Sequence, residues 1–347
     1  MAATITVAVT STSTITITVT VTTHPAKSSS DSLQRMTALR PFRFGVQASS
    51  AATRKDWVSL AQRTESNGYA VLTMPDHLDG QLAPVPALMA AADATTTLRI
   101  GALVWDNDYK HPVVLAKELA TMDVLCDGRL EIGIGAGWMV SDYEQSGIPY
   151  DSPKVRIDRF VEGLAIIKGA MAPGAFSHSG EHYTITGYDG LPKPLQGPCP
   201  PILIGGGGKR VLSIAAREAD IIGINGTMTA GVVGPDAIST MTAEAVDAKV
   251  AIVHAAAGDR MSQIEMNVRA FLVKVTDERI ATMDSISGML GVPRAFMEES
   301  PFALVGTTDQ IIDDLVARRE KWGFSYIIVG ADDIEPFAPV VAALAGK

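Results

Sequence analysis

From residue 42 onward, short apolar runs alternate with longer segments whose apolar residues recur at helical spacing. The short runs are almost wholly apolar, which is typical of parallel strands that are buried on both faces. Eight of these runs are predicted as strands: Arg43–Ala48, Ala70–Met74, Leu98–Val104, Arg129–Gly135, Ile202–Gly205, Asp220–Ile224, Met266–Lys274 and Tyr326–Val329.

The segments between the strands carry the helical pattern. A strand followed by a helix, repeated around the chain, predicts an α/β fold of the (β/α)8 TIM-barrel type. A doubly wound parallel sheet is the alternative that the same alternation allows. The predicted helices are Arg54–Asn67, Val85–Thr95, Pro112–Leu125, Val155–Ala170, Lys209–Glu218, Asp236–Ala256, Asp277–Leu290, Thr308–Trp322 and Pro336–Leu344.

Two connections are much longer than a tight turn requires and contain many glycines and prolines: residues 171–201 and 225–235. The first is expected to include a short hairpin around Tyr183–Ile185. Long loops in compact domains are usually functional, and the loops that follow barrel strands form the catalytic face. The sequence therefore predicts insertions at the C-terminal face of the barrel.

Residues 1–35 differ from the rest of the chain, because Thr and Ser alternate there with Val and Ile before a stretch of Lys, Ser and Asp. The segment lacks the basic start and continuous apolar region of a secretory signal. We interpret it as a Thr/Ser/Val-rich extension, either a disordered tail of strong β-propensity or the product of a start site placed too early, with Met36 as the alternative start. Residues 36–347 form the predicted barrel domain.

The composition narrows the classes of partner. The 347 residues are 47% hydrophobic and carry a net charge of −9, with no basic cluster that would favour nucleic acid or an anionic membrane. No apolar run reaches the roughly 18 residues that a membrane span needs. The two cysteines, Cys126 and Cys199, are far apart and suit a reducing cytoplasm. We therefore expect a cytoplasmic protein that binds a small molecule.

Four consecutive glycines, Gly205, Gly206, Gly207 and Gly208, stand between a predicted strand and a helix that opens with Lys209. Glycines allow close approach of a ligand, and the first turn of a helix offers free N–H groups to an anion. The pattern lacks the residues of a P-loop and lies in the wrong part of the chain for a Rossmann site. The turn is therefore either a phosphate site or simply a tight connection.

Other candidate residues lie at the predicted ends of early strands. Asp76 and His77 follow the second strand, where the carboxylate can orient or charge the imidazole, and Trp105 follows the third. In each case the alternative is a residue that only packs or caps a loop.

The fourth strand has glycine at alternate positions, which implies close approach of a flat ligand or of another backbone. The relevant residues are Gly133, Gly135 and Gly137, with Trp138 directly after them. His178 and His182 lie in a predicted loop without an acidic cluster, so we assign no metal site.

The sequence resembles the luciferase-like flavin monooxygenase superfamily, and more closely its actinobacterial branch of oxidoreductases that use the deazaflavin coenzyme F420. The residues that carry the resemblance are the Pro-Asp-His at 75–77, the stretch LRIGALVWDNDYKHPVVLAKELATMDVLCDGRLEIGIGAGW at 98–138, and the glycine-rich block at 202–224. The likeness extends over nearly all of residues 42–330.

The resemblance implies a cofactor site. Its members hold the flavin or deazaflavin ring over a bulge in the third strand, often with a non-proline cis peptide, and the matching residues are Leu103 and Val104. By the same likeness, Asp76 and His77 match a polar pair beside the ring, and the turn from Gly205 to Lys209 matches the receptor of the cofactor phosphate. Gly135 and Gly137 are further candidates for cofactor contact.

The related sugar-phosphate dehydrogenases have glutamate where this chain has Trp138 and tryptophan where it has Gln81. We therefore expect an apolar or aromatic substrate against Trp105 and Trp138 rather than a phosphosugar. The leading hypothesis is hydride transfer between F420 and a small organic substrate, with His77 as the proton donor or hydrogen-bond partner. An FMN-dependent monooxygenase and a non-catalytic flavin-binding barrel are the alternatives. The resemblance also implies a homodimer.

Overall fold

A closed ring of eight parallel strands forms the centre of the computed structural model, which describes residues 39–347. The ring runs in the order β1, β2, β3, β5, β8, β9, β10, β13, and pairing of β13 with β1 and of β3 with β5 closes it. In chain order the strands are β1 (Arg43–Gln47), β2 (Val71–Met74), β3 (Arg99–Ala102), β4 (Trp105–Asp106), β5 (Leu130–Gly135), β6 (Phe176–Ser179), β7 (Thr184–Tyr188), β8 (Ile202–Gly206), β9 (Ile221–Ile224), β10 (Glu265–Arg269), β11 (Leu272–Val275), β12 (Ala303–Gly306) and β13 (Phe324–Gly330).

The closed ring confirms the predicted TIM barrel and excludes the doubly wound sheet. Residues 1–35, interpreted as an extension, lie outside the described residues. Among residues 39–347, no helix combines the length and the apolar character needed to cross a bilayer. The α-helices are Arg54–Ser66, Pro84–Asp93, Pro112–Leu125, Val140–Ser146, Pro153–Met171, Lys209–Glu218, Pro235–Ser239, Ala243–Ala257, Arg279–Leu290, Arg294–Glu299, Thr308–Trp322 and Ile334–Leu344.

The third barrel strand is interrupted by a bulge. Ile100 and Gly101 pair with Leu130 and Glu131, whereas Trp105 pairs with Ile134, so four residues on one strand span three on the other. The Leu103–Val104 peptide bond within this bulge is cis. Both features agree with the bulge that the family resemblance implied.

One predicted strand and one predicted helix are divided in the structure. The run Met266–Lys274 was taken as a single strand, but β10 ends at Arg269 and β11 leaves the barrel to pair with β12. The segment Asp236–Ala256 contains two helices, Pro235–Ser239 and Ala243–Ala257. Periodicity did not reveal the end of the strand, because pairing of β11 with β12 sets it. The second helix instead begins at a local N-cap, the side chain of Thr242, which accepts from the Ala245 N–H. The expected hairpin is present as β6 and β7.

Charged residues close the end of the barrel at which the strands begin. Arg43 on β1 donates to Glu131 on β5 at 2.5 Å and to Glu265 on β10 at 2.7 Å, and Arg99 on β3 donates to Glu131 at 2.8 Å. The guanidinium of Arg43 also lies over the ring of Tyr326, 3.7 Å from its centroid. This network, which we call the basal ion cluster, leaves the opposite, C-terminal end of the ring for ligands.

Candidate active site

The C-terminal ends of the strands surround a cavity of about 320 Å³. The bulge residues Leu103 and Val104 line one side, and the glycine turn from Gly205 to Gly208 lines another. Trp138 and Gly137 also line this cavity. The structure thus brings the bulge and the glycine turn, which are about 100 residues apart in sequence, to one space. We call this space the bulge cavity.

The glycine turn exposes backbone to this cavity. A side chain at Gly208 would meet no atom within 4 Å, and one at Gly205 would meet only the side chain of Val104, at 3.5 Å. The helix Lys209–Glu218 begins here without a side-chain cap, and its first recorded backbone bond runs from the Leu212 N–H to the Gly208 carbonyl. The N–H groups of the first turn therefore have no partner within the helix and are available to a ligand.

Gly207 has a different role, because a Cβ there would lie 2.4 Å from the Gly226 carbonyl oxygen and 2.6 Å from that of Asn225. The absence of a side chain lets the loop after β9 pack directly on the glycine turn. Gly133 serves strand packing in the same way, since a Cβ would lie 2.0 Å from the carbonyl oxygen of Ala102. Of the alternating glycines, Gly133 therefore accommodates a neighbouring backbone, which is one of the two predicted alternatives.

Arg156 is a cavity residue that the sequence analysis did not identify. It lies on the helix Pro153–Met171, is 5% exposed and lines the bulge cavity. Its Nη1 donates to the Asp151 carbonyl at 2.7 Å, and its guanidinium lies 4.1 Å from the ring centroid of Tyr150. Its Nε has no hydrogen-bond partner in the described part of the chain. A buried cation with an unused donor favours an anionic ligand.

Two residues predicted to contact the cofactor lie elsewhere. Lys209 is exposed and does not line the bulge cavity, because the helix turns its side chain to solvent. Gly135 is buried beneath the side chain of Val104, whose Cγ2 lies 2.8 Å from the position of a Cβ at Gly135. Gly135 therefore makes room for the bulge rather than for a ligand, whereas Gly137 does line the cavity.

His77 forms a hydrogen-bonded pair with Asp142. The distance from His77 Nδ1 to Asp142 Oδ2 is 2.7 Å, and the carboxylate also accepts from the Tyr109 hydroxyl at 2.9 Å and from the Leu78 N–H at 3.1 Å. Because a carboxylate accepts, Nδ1 carries the proton and Nε2 is left for a ligand. Asp142 comes from a short helix, Val140–Ser146, that was not predicted.

The sequence analysis expected Asp76 to orient His77, but the histidine turns away from its neighbour to Asp142. Asp76 Oδ2 instead accepts the Asp106 N–H at 3.1 Å and so fixes the chain just after the bulge. Burial raises the pKa of Asp76, and burial also raises the pKa of Asp106 to about 7. The carboxylate of Asp108, which lies beside Asp106, acts in the same direction on Asp106.

His77 lines a second cavity, of about 410 Å³, which we call the histidine cavity. Asp76 and Trp105 also line it, whereas Trp138 lines the bulge cavity. Trp105 is 1% exposed and its indole N–H has no partner among the described residues. The His77 and Trp138 rings meet edge to face with 5.6 Å between centroids, so a residue of one cavity contacts a residue of the other. The sequence predicts one substrate pocket against both tryptophans, but in the structure Trp105 and Trp138 line different cavities.

His178, one of the two histidines of the predicted loop, forms a structural contact. Its Nε2 lies 3.2 Å from Glu162, whose carboxylate also accepts the N–H of Glu181 at 2.8 Å. Glu162 thereby fastens the β6–β7 hairpin to the helix Pro153–Met171. Within residues 39–347 no group of three or more potential metal ligands occurs.

Comparison with known proteins identifies a family and relatives that use either FMNH2 or F420. The model of the luciferase-like monooxygenase family matches residues 35–326. The FMNH2-dependent dimethylsulfone monooxygenase of Pseudomonas putida is 30% identical over 199 residues, 54% of each protein. The F420-dependent glucose-6-phosphate dehydrogenase of Amycolatopsis mediterranei is 28% identical over 177 residues, 48% of this chain and 52% of that protein. The chain spans about half the length of the curated relatives it matches.

Solved structures share the fold. The coenzyme F420-dependent tetrahydromethanopterin reductase from Methanopyrus kandleri superposes with a TM-score of 0.68 at 17% identity, covering 88% of this chain and 98% of that one. The long-chain alkane monooxygenase LadA gives a TM-score of 0.69 at 16% identity, covering 88% and 92%. These likenesses establish the barrel architecture.

Proposed function

Because this chain belongs to the luciferase-like monooxygenase family, we propose that it transfers a hydride between coenzyme F420 and a small organic substrate. The observation that carries the proposal is the bulge cavity itself. It joins the cis bulge at Leu103 and Val104 to a glycine turn and to the unpaired guanidinium of Arg156. A flat ring with an anionic tail fits such a space.

The cofactor would be held at two points. The bulge offers a surface for the ring, and the free N–H groups at the start of the helix Lys209–Glu218 would receive the phosphate. The guanidinium of Arg156, which lines the same cavity and forms no ion pair with a carboxylate of the described residues, would donate to the same phosphate. When bound, the cofactor supplies the hydride chemistry, and the protein supplies binding, orientation and exclusion of water.

His77 is the residue that would move a proton. With Nδ1 donating to Asp142, the neutral ring presents Nε2 as an acceptor, and the protonated ring presents it as a donor. The neutral histidine can therefore accept the proton of a substrate hydroxyl, and the protonated histidine can donate a proton to the oxygen of a substrate carbonyl. Asp142, with a side chain that is 3% exposed, fixes the orientation of the ring through the hydrogen bond to Nδ1.

The charges of the histidine cavity favour a neutral substrate. Asp76 and Asp79 line it, and the one lysine of its lining, Lys110, is already paired with Glu118 at 2.5 Å. The remaining wall is largely apolar, with Leu78 and Ile148 among its members. The carboxylates would repel an anionic phosphosugar, whereas they would not repel an apolar alcohol or ketone.

Fluorescence titration of the purified protein with F420 and with FMN tests the proposal. We expect F420 to bind, and reduced or oxidised F420 to turn over with a neutral alcohol or ketone from a substrate panel. Binding of FMN alone, with oxygen consumption, would replace the proposal by the monooxygenase alternative. Binding without any substrate-dependent redox change would indicate a non-catalytic flavin barrel.

The monooxygenase alternative is supported by the 30% identity to the Pseudomonas putida enzyme, whose name specifies FMNH2. Both reactions would use the same bulge and glycine turn, so the shape of the cavity does not distinguish them. The cofactor titration does.

Homodimerisation remains a prediction. The alanine-rich helix Pro84–Asp93 buries Ala87, Leu88 and Ala91 against the barrel, which accounts for its composition without a partner. Sizing chromatography with light scattering tests the dimer directly.

A further inference from the structure

Gln47, the last residue of β1, connects two separate elements at the mouth of the barrel. Its Nε2 donates to the Leu103 carbonyl at 3.2 Å, and its Oε1 accepts from Arg269 Nε at 3.0 Å. Leu103 belongs to the bulge, and Arg269 is the last residue of β10. Both line the bulge cavity. One side-chain amide thus ties three strands together at the place where a ligand would lie.

The direction of this amide is determined by the arginine. A guanidinium has donors only, so the atom of Gln47 that faces Arg269 is the carbonyl oxygen. The amide nitrogen is then necessarily turned to the Leu103 carbonyl, which can only accept. Arg269 forms no ion pair with any carboxylate of the described residues, and its Nη1 donates to the Ala270 carbonyl. It is therefore held by neutral acceptors.

We propose that Gln47 and Arg269 are positioning residues that fix the Leu103 carbonyl and with it the surface on which the cofactor ring rests. The inference depends on the proposed function for the identity of the ring. Arg269 sets the orientation of Gln47, and Gln47 supplies the donor to the bulge. Neither residue is assigned a part in the chemical step.

The substitution Gln47→Glu tests the donor without changing shape. A carboxylate still accepts from Arg269, so folding is retained, but it cannot donate to the Leu103 carbonyl. We expect an unchanged melting temperature and a dissociation constant for the cofactor that is raised about tenfold. Gln62→Glu is the matched control, because Gln62 also donates to a backbone carbonyl, that of Ala94, but at an exposed site far from the cavity.

A second variant checks that Arg269 acts through Gln47. Arg269→Met removes the cation. In Gln47→Glu/Arg269→Met the new carboxylate also lacks its cationic partner, so it can become protonated and donate a hydrogen bond to the Leu103 carbonyl. Asp333, whose charge acts on Arg269, loses this cation in both variants, so its titration contributes to both pH profiles. We expect the double variant to gain more cofactor affinity than Arg269→Met alone as the pH falls from about 8 to about 5. Equal pH profiles for the two would contradict the coupling.

Hydrogen–deuterium exchange gives a measurement that needs no cofactor. We expect the peptide that contains residues 103–106 to exchange faster in Gln47→Glu than in Gln62→Glu. Equal exchange and equal cofactor affinity in these two variants would overturn the inference. If the wild-type protein binds neither F420 nor FMN, the proposed function fails, and the exchange comparison alone then decides whether the amide holds the bulge.

Discussion

At the scale of single residues, the pairing of His77 with Asp142 defines which ring nitrogen can act on a ligand. The 2.7 Å contact fixes the proton on Nδ1, and the Tyr109 hydroxyl and the Leu78 N–H keep the carboxylate itself in place. A histidine held in this way is prepared for proton transfer without reorientation.

Replacement of either His77 or Asp142 should therefore lower turnover more than it lowers the affinity for the cofactor. For His77→Ala we expect kcat to fall by about 10²- to 10⁴-fold, and for Asp142→Asn by a smaller factor, since the histidine remains but loses its charge partner. Glu144→Gln is the control, because Glu144 is exposed on the same helix as Asp142. Steady-state kinetics of the three variants with the identified cofactor measure these effects. An unchanged kcat in His77→Ala would show that His77 takes no part in the mechanism.

Arg156 allows a test of where the cofactor phosphate binds. Arg156→Met should weaken FMN or F420 binding by about 10- to 100-fold, the value of a buried charge-assisted contact, and should leave the affinity for the phosphate-free ring compounds unchanged. Lys209→Met serves for comparison, because the exposed Lys209 lies at the same turn outside the cavity. A larger effect at Lys209 than at Arg156 would contradict the assignment.

At the scale of elements, the ring is closed at the bottom by the basal ion cluster and open at the top. Arg43 bridges Glu131 and Glu265, whose side chains are 7% and 13% exposed. Removing the guanidinium would leave the partly buried Glu265 without its cation and the buried Glu131 with Arg99 alone, which is more costly than losing a surface pair.

Arg43→Met should lower the free energy of unfolding by about 3–5 kcal/mol. Arg63→Met provides the comparison, since the Arg63–Glu335 pair is about half exposed on both sides and its loss should cost less than about 1 kcal/mol. Urea denaturation of both variants measures the difference. Equal losses would show that the cluster contributes no more than a surface ion pair.

Local pattern was sufficient for the elements that local chemistry defines. The helices Lys209–Glu218 and Thr308–Trp322 begin and end at the predicted residues, and the second of these starts with a Thr307 capping box. Contacts between residues that are distant in sequence could not be predicted from local pattern. Asp142 lies 65 residues from His77, and Arg269 lies 222 residues from Gln47. Such contacts depend on the ring closing, and no periodicity encodes them.

At the scale of the whole molecule, two carboxyl groups link stability to pH in opposite directions. Burial raises the pKa of Asp106 to about 7 in the folded protein, from 3.8. Burial acts to raise the pKa of Glu65 as well, but N–H donors from Thr97, Thr96 and Leu98 outweigh it and lower that pKa from 4.5 to about 2. The two groups lie in different parts of the barrel and titrate in different windows.

The sign follows from which state binds more protons. Between about pH 4 and 7 the folded state holds a proton on Asp106 that the unfolded chain has released, so this group makes stability fall as the pH rises. Between about pH 2 and 4.5 the unfolded chain protonates Glu65 first, so this group makes stability rise with pH and is lost on acidification. The wild-type profile should therefore have a maximum on the acid side of neutrality.

Asp106→Asn and Glu65→Gln should each weaken one limb of this profile. Other carboxyl groups also contribute, since the pKa values of Asp76 and Asp333 are raised and those of Asp158, Glu162 and Asp247 are lowered. The asparagine keeps an oxygen for the Asp108 N–H, at 2.8 Å in the wild type, and abolishes the charge, so stability between pH 4 and 7 should become flatter by up to about 4 kcal/mol. Glu65→Gln should flatten only the limb below about pH 4.5. Urea denaturation at intervals from pH 3 to 8 measures both, and each variant is the control for the other. A wild-type stability that rises steadily from pH 4 to 7 and is unaltered by Asp106→Asn would mean that Asp106 is ionised at the mouth of the barrel, with its charge compensated there.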